Sequence, residues 1–221
     1  MRRTHEESEG VRQRLIAAGA HEFAQLGYER ASLRRICAEA RTSTGSLYSL
    51  FGGKGQLFRS VLEPVTGHLL AVLARHHAME LSASWTSGLD DPAYSVAEDT
   101  RAVAAVYDTI AGRPDVRDIL LNNREQPSVR DFFDQVADML ATHMRSLVGR
   151  EALRETPYVG VDDYLCHWMS HQQIDMIIHL LTHPLDHEEA LREIERNYQA
   201  LIESGIFLLL IVGLDGSILA C

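Results

Sequence analysis

Two groups of side chains in this 221-residue sequence have types and spacing suited to chemistry. The first is a run of hydroxyls, Thr42, Ser43, Thr44, Ser46, Tyr48 and Ser49, with Lys54 just beyond it. Uncharged donors and acceptors followed by a cation suit hydrogen bonding to phosphates and base edges rather than bond making. The second is Asp163, His167, His171 and Asp175, then His179, His183 and His187, each four residues after the last. Neighbours at that spacing share a side of a helix, and two such histidines can hold zinc or nickel. A ridge at this spacing drifts around the helix, however, and no cysteine completes the set. The series therefore reads as a solvated polar face, and no metal ligand or cofactor is assigned from it.

Enzyme signatures are lacking. The sequence has no HExxH, no GxSxG elbow and no GxxxxGK[ST] loop, because Lys54 is followed by Gly55. Nor is there a Glu-x-x-His pair of the di-iron bundle type. The chain reads as a non-enzyme.

The hydroxyl run needs a scaffold, and the periodicity supplies one. Leu33, Ile36, Cys37 and Ala40 fall at helical spacing behind Ser32, which is placed to cap them. Ser43 or Thr44 then starts a second short helix that turns Leu47 and Phe51 inward and leaves Thr44, Ser46, Tyr48 and Ser49 outside. A helix from about Ser8 to Leu26, stopped by Gly27, precedes the pair. After Gly52-Gly53-Lys54-Gly55 a long helix runs from Gln56 to about Met79, with Pro64 and Gly67 placed to kink it. Residues 85–92 read as a loop. Helices follow over Ala93 to Ile110, Pro114 to about Asn122, Ser128 to about Val148, Val161 to Leu181 and His187 to Leu210. No useful stretch alternates with period two, so the fold class is all-α with about nine helices: three in an N-terminal head and about six in a body.

Composition agrees with a packed chain, since 46% of residues are hydrophobic. The three cysteines, Cys37, Cys166 and Cys221, share no CxxC spacing and suggest neither disulfides nor a zinc knuckle. The charged start carries no secretory signal, and the apolar run from Ile206 to Val212 is far shorter than the roughly 20 residues a bilayer requires. The expectation is a cytoplasmic protein with no membrane partner. Net charge is −10, yet basic side chains outnumber acidic ones over residues 1–63. That asymmetry fits a basic DNA-reading head on an acidic body.

Gly27-Tyr28, Ser32-Leu33-Arg34-Arg35-Ile36, Glu39-Ala40, Ser43-Thr44-Gly45-Ser46-Leu47-Tyr48, Phe51 and Lys54 resemble, in order and without gaps, the TetR (tetracycline-repressor-like) transcriptional regulators. The resemblance implies a helix-turn-helix DNA-binding domain over residues 1–55 and an effector-binding and dimerisation domain over residues 56–221. It implies that Ser32, Thr42, Ser43, Tyr48 and Lys54 mainly contact phosphates of double-stranded DNA, while Thr44, Ser46 and Ser49 face base edges. Gly45 would let the recognition helix pack close to its neighbour. Two positions depart from the family pattern: Arg41-Thr42 replaces a glycine followed by an aliphatic residue, and Leu50 replaces a frequent histidine.

For the body, the resemblance implies a small-molecule site between the middle helices and pairing of two copies through the last two. Trp85, Tyr107, Phe132, Phe133, Val136, Met139 and His143 are the candidates for a mostly apolar effector cavity. Tyr164, Trp168, Ile194, Tyr198, Leu201 and Ile202 are the candidates for the dimer interface. The implied function is a homodimeric repressor released from a palindromic operator by a small lipophilic effector. Two alternatives stay open: a ligand-dependent activator, and an all-helical small-molecule or metal-binding protein without DNA binding.

Overall fold

The computed structural model describes residues 5–86, 92–151, 163–183 and 185–203. Its described residues form nine α-helices and no strand: α1 (His5–Arg30), α2 (Leu33–Glu39), α3 (Thr44–Phe51), α4 (Lys54–Thr86), α5 (Pro92–Ala111), α6 (Pro114–Asn122), α7 (Pro127–Glu151), α8 (Asp163–Thr182) and α9 (His187–Glu203). The chain divides into two compact units. Unit 1 combines Met1–Leu69 with Thr109–Phe132, and unit 2 combines Leu70–Asp108 with Phe133–Cys221.

Unit 1 is built on α1, whose Val11, Leu15, Ala18 and Phe23 recur at helical spacing and are all buried. The helix does not stop at Gly27 as the sequence suggests. Gly27 breaks the helical geometry at φ 72°, and one more turn follows to Arg30. Asn123, at the end of α6, holds this break: its Oδ1 accepts the Tyr28 N–H at 2.7 Å, and its Nδ2 donates to the Ile119 carbonyl at 2.8 Å. A Cβ at Gly27 would lie 3.2 Å from Asn123 Oδ1, so the position requires glycine for both dihedral and space.

Beneath the break, the Phe58 ring meets Phe23 edge-on at 4.9 Å and Tyr28 at 5.0 Å. Leu57 and Val61 of α4 pack so close to Gly19 that a Cβ there would touch them at 3.4 Å. Val116, Ile119 and Leu120 of α6 complete the interior. Over Lys54–Ser82 α4 is long and apolar enough by composition to cross a membrane. Its Leu57, Phe58, Val61, Leu62, Val65 and Leu69 are instead buried within unit 1, as in a core helix. It continues as helix through Pro64.

The turn between α2 and α3 shows why Arg41 is unusual. The N–H of Arg41 donates to the Ala38 carbonyl at 3.1 Å and that of Thr42 to Cys37 at 2.9 Å, the bond pair of a Schellman motif. Arg41 occupies its left-handed position at φ 50°, where glycine is the usual residue. Arg41→Gly is expected to raise stability by about 0.5–1 kcal/mol, the side-chain strain relieved less the extra freedom of an unfolded glycine. An increased urea midpoint at unchanged slope would register it.

In unit 2 the apolar interior includes Tyr107 of α5, Ala137, Leu140 and Ala141 of α7, Cys166, Met169, Ile174 and Leu180 of α8, and Ala190 and Ile194 of α9. Polar groups are buried here too, with His143 and Ser170 among them.

Candidate nucleic-acid interface

The surface formed by α3 is set by what α3 buries. Leu47 and Phe51, one helical turn apart, are enclosed, and the Arg12 guanidinium lies over the Phe51 ring at 4.8 Å. The opposite side is thereby turned to solvent: Thr44 and Ser49 are exposed, Ser46 is half-buried, and Tyr48 is 56% exposed. A large aromatic left this open beside small hydroxyls is available to a partner.

The ends of α3 are fixed by local chemistry. Ser43 is its N-cap and accepts the Ser46 N–H at 3.1 Å, while the Ser43 and Ser46 hydroxyls lie 3.0 Å apart. Gly52 closes the other end in the left-handed conformation, its N–H donating to the Tyr48 carbonyl at 2.8 Å. Lys54 follows at the start of α4. Its Nζ donates to the Glu29 carbonyl at 3.1 Å and sits 4.8 Å over the Tyr28 ring. An ammonium has three N–H donors, so this strut to the end of α1 leaves capacity for a phosphate.

Three sequence expectations are modified. Ser32 sits at the N-cap of α2, but its side chain makes no cap; Glu22 does the work, accepting the Ser32 backbone N–H at 2.7 Å. The Thr42 hydroxyl is buried without a hydrogen-bond partner, turned away from any surface contact. At Gly45 no close neighbour exists within the chain, since an added Cβ would meet nothing nearer than Ser43 Oγ at 3.7 Å.

The residue missed by sequence reading is Glu22. It is 7% exposed, and its carboxylate takes both the Ser32 N–H and the Arg35 guanidinium, with Arg35 Nε at 2.8 Å. Burial pushes its pKa up, but the hydrogen bonds from Arg35 and the Ser32 backbone outweigh that and hold it below the usual value. An acid in step with Leu15 and Ala18 on the buried side of α1 was the available signal. Near α3 the exposed cations are Arg34, Arg35 and Arg41. Arg14, also exposed, spends its Nε on the Ala40 carbonyl at 3.2 Å, securing the end of α2.

The other candidates fall as follows. Tyr107, Phe132, Val136 and His143 are buried, and Phe133 and Met139 are half-buried. On α8, Tyr164 is 76% and Trp168 46% exposed, whereas Ile194 of α9 is fully buried in the chain's own core. The side chains of Trp85, Tyr198, Leu201 and Ile202 lie outside the described set. The histidines of the four-residue series are exposed from His167 to His187. His179 and His183 flank an open groove of about 570 Å³ between α8 and α9.

Residues 15–61 match the family described as "Bacterial regulatory proteins, tetR family". An HTH-type transcriptional repressor of Streptomyces coelicolor is 44% identical over 55 residues, covering 25% of this chain and 29% of that protein. The chain thus spans less than a third of the length of this curated relative. Solved structures extend the likeness. A TetR-family transcriptional regulator from Pectobacterium atrosepticum superposes with a TM-score of 0.54 at 21% identity, over 95% of this chain and 98% of that one. The transcriptional regulator FadR from Bacillus subtilis, in complex with stearoyl-CoA, gives 0.54 at 14% identity over 91% and 98%. The matched segment carries α2 and α3 with the supports derived above, and the fold is shared along nearly the whole chain: the protein belongs to the TetR family of bacterial regulatory proteins.

Proposed function

We propose that the chain is a cytoplasmic, homodimeric repressor that grips a palindromic operator through α3 and releases it when a small lipophilic effector binds the body. The observation that carries this reading is the exposed Tyr48 amid the hydroxyls of α3, backed by buried Leu47 and Phe51. DNA contact is made from residues 1–55, by Ser32, Ser43, Tyr48 and Lys54 on phosphates and by Thr44, Ser46 and Ser49 on base edges. The open space at Gly45 admits a sugar-phosphate strand.

Residues 56–221 hold the effector and the pairing surface. Tyr164 and Trp168, exposed on α8, supply apolar area for a second copy. Two heads about 34 to 36 Å apart then read successive half-sites, and an effector that favours a different separation weakens both at once. The stearoyl-CoA bound to the Bacillus subtilis FadR supports a lipophilic ligand class.

The test is a salt titration of binding to an operator selected from random DNA. Affinity should fall steeply with salt, and Lys54→Ala should flatten the slope by about one counterion. Tyr48→Ala should weaken binding about tenfold at fixed salt, the cost of one hydrogen bond to a charged oxygen. Binding unchanged in both variants would refute the assignment.

A further inference from the structure

Within unit 2, three helices bring together a set of donors that no reading above uses. α4 supplies His76, His77 and Glu80, α5 supplies Asp99 and α7 supplies His143. His76 Nε2 lies 2.9 Å from Asp99 Oδ1 and 3.6 Å from Glu80 Oε2. His143 Nε2 contacts the same Glu80 oxygen at 2.5 Å. All four side chains are largely enclosed, with exposures of 12% for His76, 16% for Glu80, 14% for Asp99 and 9% for His143.

We propose that His76, Glu80 and Asp99, completed by His143, bind a divalent first-row transition-metal ion of the zinc class.

Distance comes first. One donor atom from each of His76, Glu80 and Asp99 lies within 4.8 Å of the others. Ligands about 2.0–2.1 Å from a tetrahedral ion stand about 3.3 Å apart. The observed separations bracket that value, so rotamer adjustments suffice to close the site.

Charge points the same way. Two enclosed carboxylates require compensating positive charge, and the cations that meet them here are imidazoles in hydrogen-bonding contact. A divalent ion supplies that charge and leaves the imidazoles neutral, the state in which they ligate.

A separate observation concerns His143, whose Nδ1 is buried without a hydrogen-bond partner. The ring is held from one side only, by Glu80, and has nothing to surrender at Nδ1 if it turns to complete the set. Its face is fixed by His77, stacked parallel at 3.9 Å with an interplanar angle of 2°. His77 is thereby a wall that orients His143, not a ligand. The mixture of imidazole and carboxylate without thiolate selects zinc, cobalt, nickel or manganese over soft monovalent metals, and over the all-oxygen cages of calcium and magnesium.

The experiment titrates chelator-treated full-length protein with zinc against a competing chromophoric chelator, and with cobalt as a spectroscopic probe. The expected result is saturation at one ion per chain, with cobalt d–d bands of low coordination number and no thiolate charge-transfer band. Asp99→Asn and His76→Ala should each weaken zinc binding at least about 100-fold, more than is usual for residues behind the ligands. His179→Ala, on the exposed series, should leave it unchanged. No saturable binding to the unaltered protein would overturn the proposal without reference to any variant's folding. A thiolate band, or zinc binding lost in His179→Ala and kept in Asp99→Asn, would overturn it equally. Because none of these readouts uses DNA, failure here and failure of the operator-binding reading are distinguishable.

Discussion

Phe58→Ala is expected to destabilise the protein by about 3–5 kcal/mol, the range for losing a fully buried phenylalanine and leaving a cavity. Phe58 is 1% exposed and meets Phe23 and Tyr28 edge-on, so the variant removes two aromatic contacts along with the ring's burial. The neighbours have little freedom to close the gap. Phe23 is pinned inside α1, and Tyr28 is held by its backbone bond to Asn123 and by the Lys54 ammonium over its face. Against a typical total of about 5–15 kcal/mol, such a loss consumes much of the available stability. Thermal unfolding followed by circular dichroism should show the midpoint lower by about 10 °C or more. Phe58→Leu, which retains most of the volume, should recover the larger part. Equal loss in the alanine and leucine variants would mean that cavity volume is not the cause.

Glu22→Ala should cost about 2–3 kcal/mol at neutral pH, mainly because it leaves the Ser32 N–H at the start of α2 without its charged acceptor. The Arg35 part of the interaction contributes less, since that side chain is 58% exposed and screened by solvent. Glu22→Gln separates the two contributions by keeping an acceptor for the N–H while deleting the charge. The pH dependence has a definite sign. Glu22's folded pKa lies below its ordinary 4.5, so its contribution is complete above that value and is lost as pH falls through the lower folded value. Urea unfolding between pH 7 and pH 3 should therefore show the unaltered protein and Glu22→Ala converging in stability as the pH drops. Parallel curves would assign the carboxylate no linkage.

Helix types and most boundaries were legible because amphipathic spacing is a local signal. The inward pair Leu47 and Phe51 and the outward Tyr48 follow directly from a period near 3.6. Gly27 misled for a physical reason. Glycine normally ends a helix, but here Asn123, 95 residues later, accepts the next N–H and lets another turn form. No local pattern announces such a partner. Ser32 is a comparable case, with the right residue for a cap and a stronger acceptor reaching the same N–H from α1. Long α4 outran its expected end near Met79, continuing to Thr86. The cluster around Glu80 was almost invisible, for its members come from three helices and only His143 stood out as a polar ring in an apolar stripe. Burial hints were readable one residue at a time, whereas convergence belongs to the tertiary fold.

Unit 1 is not a continuous piece of chain. It takes residues 1–69, then 109–132, and the intervening transitions fall inside α4, α5 and α7 rather than in loops. Recombination at a single crossover therefore has no clean place to cut. A chimera that exchanges only residues 1–55 with a relative imports a recognition helix but keeps the host's Leu57, Phe58, Val61, Ile119 and Asn123 as its supports. Inherited change in DNA preference is thus easiest through point substitutions on the outward side of α3, where Thr44, Tyr48 and Ser49 are free to vary without disturbing what lies beneath them.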